Sequence, residues 1–86
     1  MALLIDDNNF TSFNVKEYPN LWSFHCGNNQ LKSLDLSEAK KLEFFSCERN
    51  YIDTLDISQT IIGNPDFTMQ CGSQKNGILL ILITND

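Results

Sequence analysis

The sequence predicts a mostly β solenoid. It would hold one parallel sheet of about four short strands, with turns or 3-10 pieces on the opposite side. Three observations carry this. The stretch 42–58 spaces Leu42, Phe45, Cys47, Asn50 and Ile52 as L-x-x-L-x-L-x-x-N-x-L, then places Leu55 and Ile57 around Asp56. The same order stands 21 positions earlier at Leu21, Phe24, Cys26, Asn29, Leu31, Leu34, Asp35, Leu36 and Ser37, and earlier still at Leu3, Ile5, Asn8, Phe10, Phe13 and Val15. A period of this length is the mark of stacked repeats. Finally, apolar residues are 42% and charged residues 20%, a balance that supports a packed core and not a disordered chain.

Stacking is also what the energetics require. A single repeat offers about six apolar side chains to bury. Fixing the backbone of some twenty residues costs more than that burial returns. Each repeat therefore needs a neighbour against which to bury its leucines and pair its strand.

The 86 residues form a single domain, 1–86, with repeats at about 1–20, 21–41 and 42–62 and a degenerate one at 63–77. In the first, Ala2–Asp6 alternates as a strand with Leu3 and Ile5 inward. Asp7-Asn8-Asn9 turns, because Asn and Asp tolerate left-handed backbone. Phe13-Asn14-Val15 reads as a second extended piece, and Pro19 keeps 16–20 a loop. In the next, Trp22–Gly27 is a strand with Phe24 and Cys26 inward, Gly27-Asn28-Asn29 turns the corner, and Leu34-Asp35-Leu36 is a second strand. Ser37 is placed to cap one helical or 3-10 turn over Glu38–Lys41. The third repeats the design, with a strand at Glu43–Glu48, a corner at Arg49-Asn50 and a second strand at Leu55-Asp56-Ile57. In the last, Phe67–Gly72 is a strand with Met69 and Cys71 inward, and Gln74 takes the place of the repeated Asn. The apolar run Ile78–Ile83 reads as a capping strand over 78–84. It is expected to fold back over the end of the stack with both faces covered, and exposed it would promote aggregation.

Asn8, Asn29 and Asn50 recur in register. An amide offers donor and acceptor together, so it can bridge the backbone of adjacent repeats at a tight corner. This predicts a structural asparagine ladder.

Other classes are disfavoured by composition. The net charge is −5, and no basic stripe is present, so nucleic acid is not an expected partner. The opening Met1–Ile5 meets Asp6-Asp7 with no basic region before it, so no signal peptide is read, and Ile78–Ile83 is too short to insert in a membrane. Cys26, Cys47 and Cys71 are odd in number and lack a C-x-x-C spacing. They read as buried thiols and not as a bridge or metal site. Parallel side-chain vectors on neighbouring strands suit a disulfide poorly. No cofactor is expected.

The pattern at Leu21–Leu31 and Leu42–Ile52 resembles the leucine-rich repeat. The continuations Leu34-Asp35-Leu36-Ser37 and Leu55-Asp56-Ile57-Ser58, with Cys in the third apolar place, resemble the short repeats of Bacteroidetes surface proteins. Cys71-Gly72-Ser73-Gln74 before an apolar strand resembles their terminal capping segment. The resemblance departs at the start, where the first repeat lacks its opening Leu. It implies an α/β-type, right-handed leucine-rich-repeat solenoid whose curved sheet is a protein-binding face. It also implies a secreted or cell-surface location, for which this sequence shows no signal.

Residues pointing away from the interior form rows across the strands. They are Ala2, Ser23, Phe44 and Thr68; then Leu4, His25, Ser46 and Gln70; then Asp6, Gly27, Glu48 and Gly72. Phe44 and Leu4 are apolar where solvent is expected, which makes Phe44 with His25 an aromatic anchor candidate. Ser46, Glu48 and Trp22 complete the partner-binding candidates. His25, Ser46 and the carboxylates of Asp6 and Glu48 contain the parts of a nucleophilic triad, but a flat sheet supplies no oxyanion donors, so enzymatic activity is not expected. Asp35, Asp56 and Asn14 are read as bonding local backbone and not a cation. The predicted function is a protein–protein interaction module. The alternative is a structural or self-associating repeat fragment, a homodimer joined through the uncapped strand Ala2–Asp6 or through Ile78–Ile83.

Overall fold

The computed structural model describes residues 1–77 and 79–82. Strand β1 is Ala2–Leu4, β2 Ser23–His25, β3 Phe44–Ser46, β4 Thr54–Asp56, β5 Thr68–Gln70 and β6 Leu80–Leu82, with one helix, α1, at Ser58–Gly63. The chain makes successive passes that lay β1, β2, β3 and β5 side by side in one four-stranded sheet, and β4 and β6 in a second, two-stranded sheet. Every pairing is parallel. The architecture is therefore a small parallel-sheet fold with little helix.

The register follows from the inward residues. Leu3, Phe24, Phe45 and Met69 lie directly beside one another in the sheet. Phe24 and Phe45 are fully buried, with ring centroids 5.7 Å apart, and Phe13 packs on Phe24 at 4.9 Å. Leu21, Leu31, Leu42, Ile52 and Leu55 fill the rest of the interior, and all are fully buried. Each pass turns its corner on one left-handed residue, at Asp7, Asn28, Arg49 and Ser73. Asn and Asp accept that conformation at low cost; Arg and Ser do so less readily.

Several elements differ from the sequence reading. Phe13-Asn14-Val15 is not an extended piece. Val15–Glu17 is a 3-10 turn, because the Asn14 side chain accepts from the Lys16 N–H. Leu34–Leu36 forms no strand, although the matching Thr54–Asp56 does. β4 pairs with β6, whereas Leu34–Leu36 joins no sheet among the described residues, although Thr54 and Asp56 of β4 line a depression with it. Ser37 does not cap its turn. Asp35 Oδ1 accepts from the Ser37 N–H at 2.9 Å, and a single turn follows in which the Ala39 N–H reaches the Leu36 carbonyl.

The end of the chain is also corrected. β6 does not fold back across the stack. It runs parallel to β4, with Leu55 beside Ile81, and so continues the winding by one more pass. Nor are both its faces covered, because Leu80 is 56% exposed. Ile78 and residues 83–84 of the expected capping strand lie outside the described residues.

The cysteines depart from the reading of three free thiols. Cys47 and Cys71 form a disulfide, while Cys26 is a buried free thiol. The physical reason is the in-register pairing of β3 with β5. It brings the two Cα atoms to 4.6 Å, inside the bridging range.

Candidate functional site

Two constructions occupy the corner and the open face of the four-stranded sheet. The corner is the simpler. Asn29 Nδ2 donates to the carbonyls of Ile5, Cys26 and Gly27, and its Oδ1 accepts from the Phe10 N–H. Asn50 does the same one pass later, donating to the Cys26, Cys47 and Glu48 carbonyls and accepting from Leu31. Gln74 donates to Cys47 and Cys71 and accepts from Ile52. Asn29 and Asn50 are fully buried, so these bonds satisfy backbone groups that water cannot reach. Asn8 has no pass before it among the described residues. It donates only within its own turn, to the Ile5 and Asp6 carbonyls.

The open face is built on the outward rows. His25 is its centre. Its Nε2 lies 3.2 Å from the Ser23 hydroxyl and its Nδ1 3.5 Å from the Ser46 hydroxyl. Its ring packs against Phe44 at 4.9 Å between centroids. Ser23 and Ser46 are buried, and Phe44 and His25 are half-buried. Phe44 is therefore engaged laterally by His25 and is not a freely projecting anchor. Ser46 stands in the outward row, yet it is only 4% exposed. Leu4 and Trp22 differ from these, at 73% and 49% exposed. Sequence alternation places a residue on a face, but it does not show how neighbouring strands shade it.

Toward the ends of the strands, Asp6, Asp7, Gly27, Asn28, Glu48 and Arg49 surround a depression of about 180 Å³. Two of its carboxylates have local partners. Asp6 Oδ1 accepts from the Gly27 N–H at 2.6 Å, and Asp7 Oδ1 accepts from the Asn28 amide at 2.9 Å. The triad parts are thus divided: both His25 nitrogens face serine hydroxyls, and Asp6 is directed at backbone. No acid orients the imidazole, as a charge-stabilised base would need.

The outer-side acids act on backbone. Hydrogen bonds from Ser37, side chain and backbone, together with Lys16, lower Asp35 to about 2. The Lys16 ammonium is 3.1 Å from Asp35. Ser58 lowers Asp56 in the same manner, its N–H 2.9 Å from Oδ1. Burial, then the charge of Asp6, pushes the Cys26 thiol far up, and its Sγ donates to the Ser46 carbonyl. Cys26 is accordingly unsuited to nucleophilic chemistry. Among the described residues no three His, Cys, Asp or Glu side chains are grouped to hold a metal ion. Among them also, no helix is long and apolar enough to cross a membrane.

Comparison with known protein families, curated proteins and solved structures finds no match to this chain.

Proposed function

We propose that the chain is a leucine-rich-repeat solenoid that acts as a protein–protein interaction module, presenting the open face of its sheet. The observation that carries this reading is Leu4, 73% exposed and in register with His25, whose ring packs against Phe44. Leu4 is a large apolar side chain in a row that otherwise holds His25, Ser46 and Gln70. Aromatic and aliphatic anchors next to preorganised polar groups are the usual energetic centre of an interface. The 21-position pattern and the parallel sheet support the solenoid assignment. No catalytic role is proposed for the face.

Selection of partners from a displayed protein library tests the reading, followed by affinity measurement with Leu4→Ala, Trp22→Ala and His25→Ala. Loss of about tenfold or more in affinity with one of them supports the face as the binding surface. Partners that bind all three variants as tightly as the parent overturn it.

The second reading is self-association. It is favoured by the outer edge of β1, which pairs with no strand among the described residues, and by the partial burial of Leu3, Ile5, Phe67 and Met69 in the first and last passes.

A further inference from the structure

We propose that a second copy of this chain docks head-to-tail on β1, seating its last pass, from β5 to Lys75, against the free edge of the first. The proposal takes up the self-association reading. It rests on strand register and not on what the open face binds, so each can fail without the other.

The first argument is hydrogen bonding. Residues of a parallel strand address alternate sides. The Met1 carbonyl and the Ile5 and Asp7 N–H groups bond to the second pass. Ala2, Leu4 and Asp6 therefore turn their backbone groups to the outer edge. On β5, the Thr68 N–H and the Gln70 carbonyl engage the third pass. Met69 and Cys71 thus face the other outer edge. The two edges are the two halves of one parallel pairing. The corner shows the same gap. Asn29, Asn50 and Gln74 each donate to the pass before them, to Ile5, Cys26 and Cys47. Asn8 has the same side chain in the same place and no earlier pass to reach among the described residues. The carbonyl it would meet on a second copy is that of Cys71.

The second argument is apolar burial. The inward residues of the middle passes, Phe24, Cys26, Phe45 and Cys47, are fully buried. At the two ends, Leu3, Ile5 and Phe13, and Phe67, Met69 and Ile81, are only partly buried. A head-to-tail contact gives these end residues the cover that the middle ones already have.

The third argument is the fit of the corner column, which suits head-to-tail and not like-end pairing. The column nearest the corner reads Asp6, Gly27, Glu48, Gly72, so acids alternate with glycines. Between the acids Gly27 is tightly held, since a Cβ there would stand 3.3 Å from Asp6 Oδ1 and 3.4 Å from the Glu48 carbonyl. At Gly72 a Cβ would meet nothing within 4 Å. The open place after Gly72 is where Asp6 of a second copy would lie, and the alternation would continue across the junction. Pairing of two first passes about a two-fold axis would run antiparallel, and would leave both the Asn8 amide and the open place after Gly72 unused. A head-to-tail contact leaves one head and one tail free, so assembly can continue beyond two copies.

The test uses sedimentation velocity on the full 86-residue chain over a wide concentration range, with Leu4→Pro and Gly72→Asp. Leu4→Pro removes an edge donor while leaving the side facing the second pass, and Gly72→Asp places a carboxylate where Asp6 of the next copy must sit. The parent is expected to gain mass with concentration, and each variant alone to associate at least about tenfold more weakly. An equimolar mixture is expected to form a one-to-one dimer, because one variant keeps its tail and the other its head. In the parent, hydrogen exchange at the Leu4 amide is expected to slow as concentration rises, which needs no substitution. A parent that stays monomeric at all concentrations with unchanged Leu4 exchange overturns the proposal. So does a mixture that fails to complement while Leu4→Pro alone blocks assembly, the signature of like-end pairing.

Discussion

Asn50 reaches out of its own pass to the carbonyl of Cys26, 24 positions earlier, at 2.9 Å, while its Oδ1 holds the Leu31 N–H at 3.0 Å. The same side chain also holds the Cys47 and Glu48 carbonyls. Its removal leaves buried backbone groups unpaired, at about 1–3 kcal/mol for each group that water cannot reach. Asn50→Ala is therefore expected to lower stability by roughly 3 kcal/mol or more. Asn8→Ala, which removes two exposed bonds within one turn, is expected to cost under about 1 kcal/mol. Urea unfolding of both variants reads the contrast. Similar losses for the two would show that the amide stabilises only its own turn.

Gly27 is required for space and Gly72 is not. A methyl at Gly27 would stand 3.3 Å from Asp6 Oδ1, tighter than ordinary packing, and that carboxylate is held in place by its bond from the Gly27 N–H. Gly27→Ala is expected to destabilise by about 1–2 kcal/mol through overpacking. Gly72→Ala is expected to change stability by less than about 0.5 kcal/mol. Thermal melts at low protein concentration check both. A neutral Gly27→Ala would mean that Asp6 moves aside without losing its bond to the backbone.

Thr60 sits fully buried in α1, and its hydroxyl has no hydrogen-bond partner among the described residues. The isosteric Thr60→Val removes the unsatisfied oxygen and keeps the volume. It is expected to stabilise the fold by about 1 kcal/mol. A loss in chemical denaturation would reveal a partner for the hydroxyl.

The sequence showed the inward positions and the corner amides because both are fixed by period. The backbone of every pass needs the same donors and acceptors at the same place, so Asn29, Asn50 and the less regular Gln74 all stand out in register. What period does not encode is lateral. Leu34-Asp35-Leu36 and Leu55-Asp56-Ile57 have the same pattern, yet only the second contributes to a strand, the one that pairs with β6. Phe44 and Ser46 occupy outward positions, yet Phe44 packs on the His25 ring and the Ser46 hydroxyl lies 3.5 Å from it, contacts that alternation alone does not show. Asp35, two residues before the serine read as a cap, receives the Ser37 N–H, and Asp56 receives the Ser58 N–H in the same way. The side chain that receives the N–H, and not the residue opening the turn, makes the cap. Equivalent cysteines looked too parallel to bond. The short separation across β3 and β5 decided otherwise.

Asp35 and Asp56 link stability to acid. Both carboxyls are lowered in the folded chain, Asp35 to about 2. A group whose folded value lies below its unfolded value contributes stability above the unfolded value and loses it as pH falls through the folded one. The contribution is therefore whole above about pH 4 and fades toward about pH 2. Both side chains are exposed, and solvent screens the bonds, so Asp35 contributes under about 1 kcal/mol. Melting temperature is expected to fall between those pH values in the parent and to fall less steeply in the Asp35→Asn, Asp56→Asn double variant. Equal slopes would place the acid sensitivity elsewhere.

The disulfide makes the last described passes dependent on redox conditions. Cys47 and Cys71 are 24 positions apart, and closing a loop of that size restricts the unfolded chain by about 3 kcal/mol. Cys26 is the one free thiol, and it is fully buried. Thiol titration of the oxidised chain is thus expected to find no reactive thiol in the folded state and one after denaturation. A reductant should raise the denatured count to three, the number of cysteines in the chain, and should lower the unfolding midpoint. Three titratable thiols in the denatured chain without reductant would show that Cys47 and Cys71 are stacked but not joined.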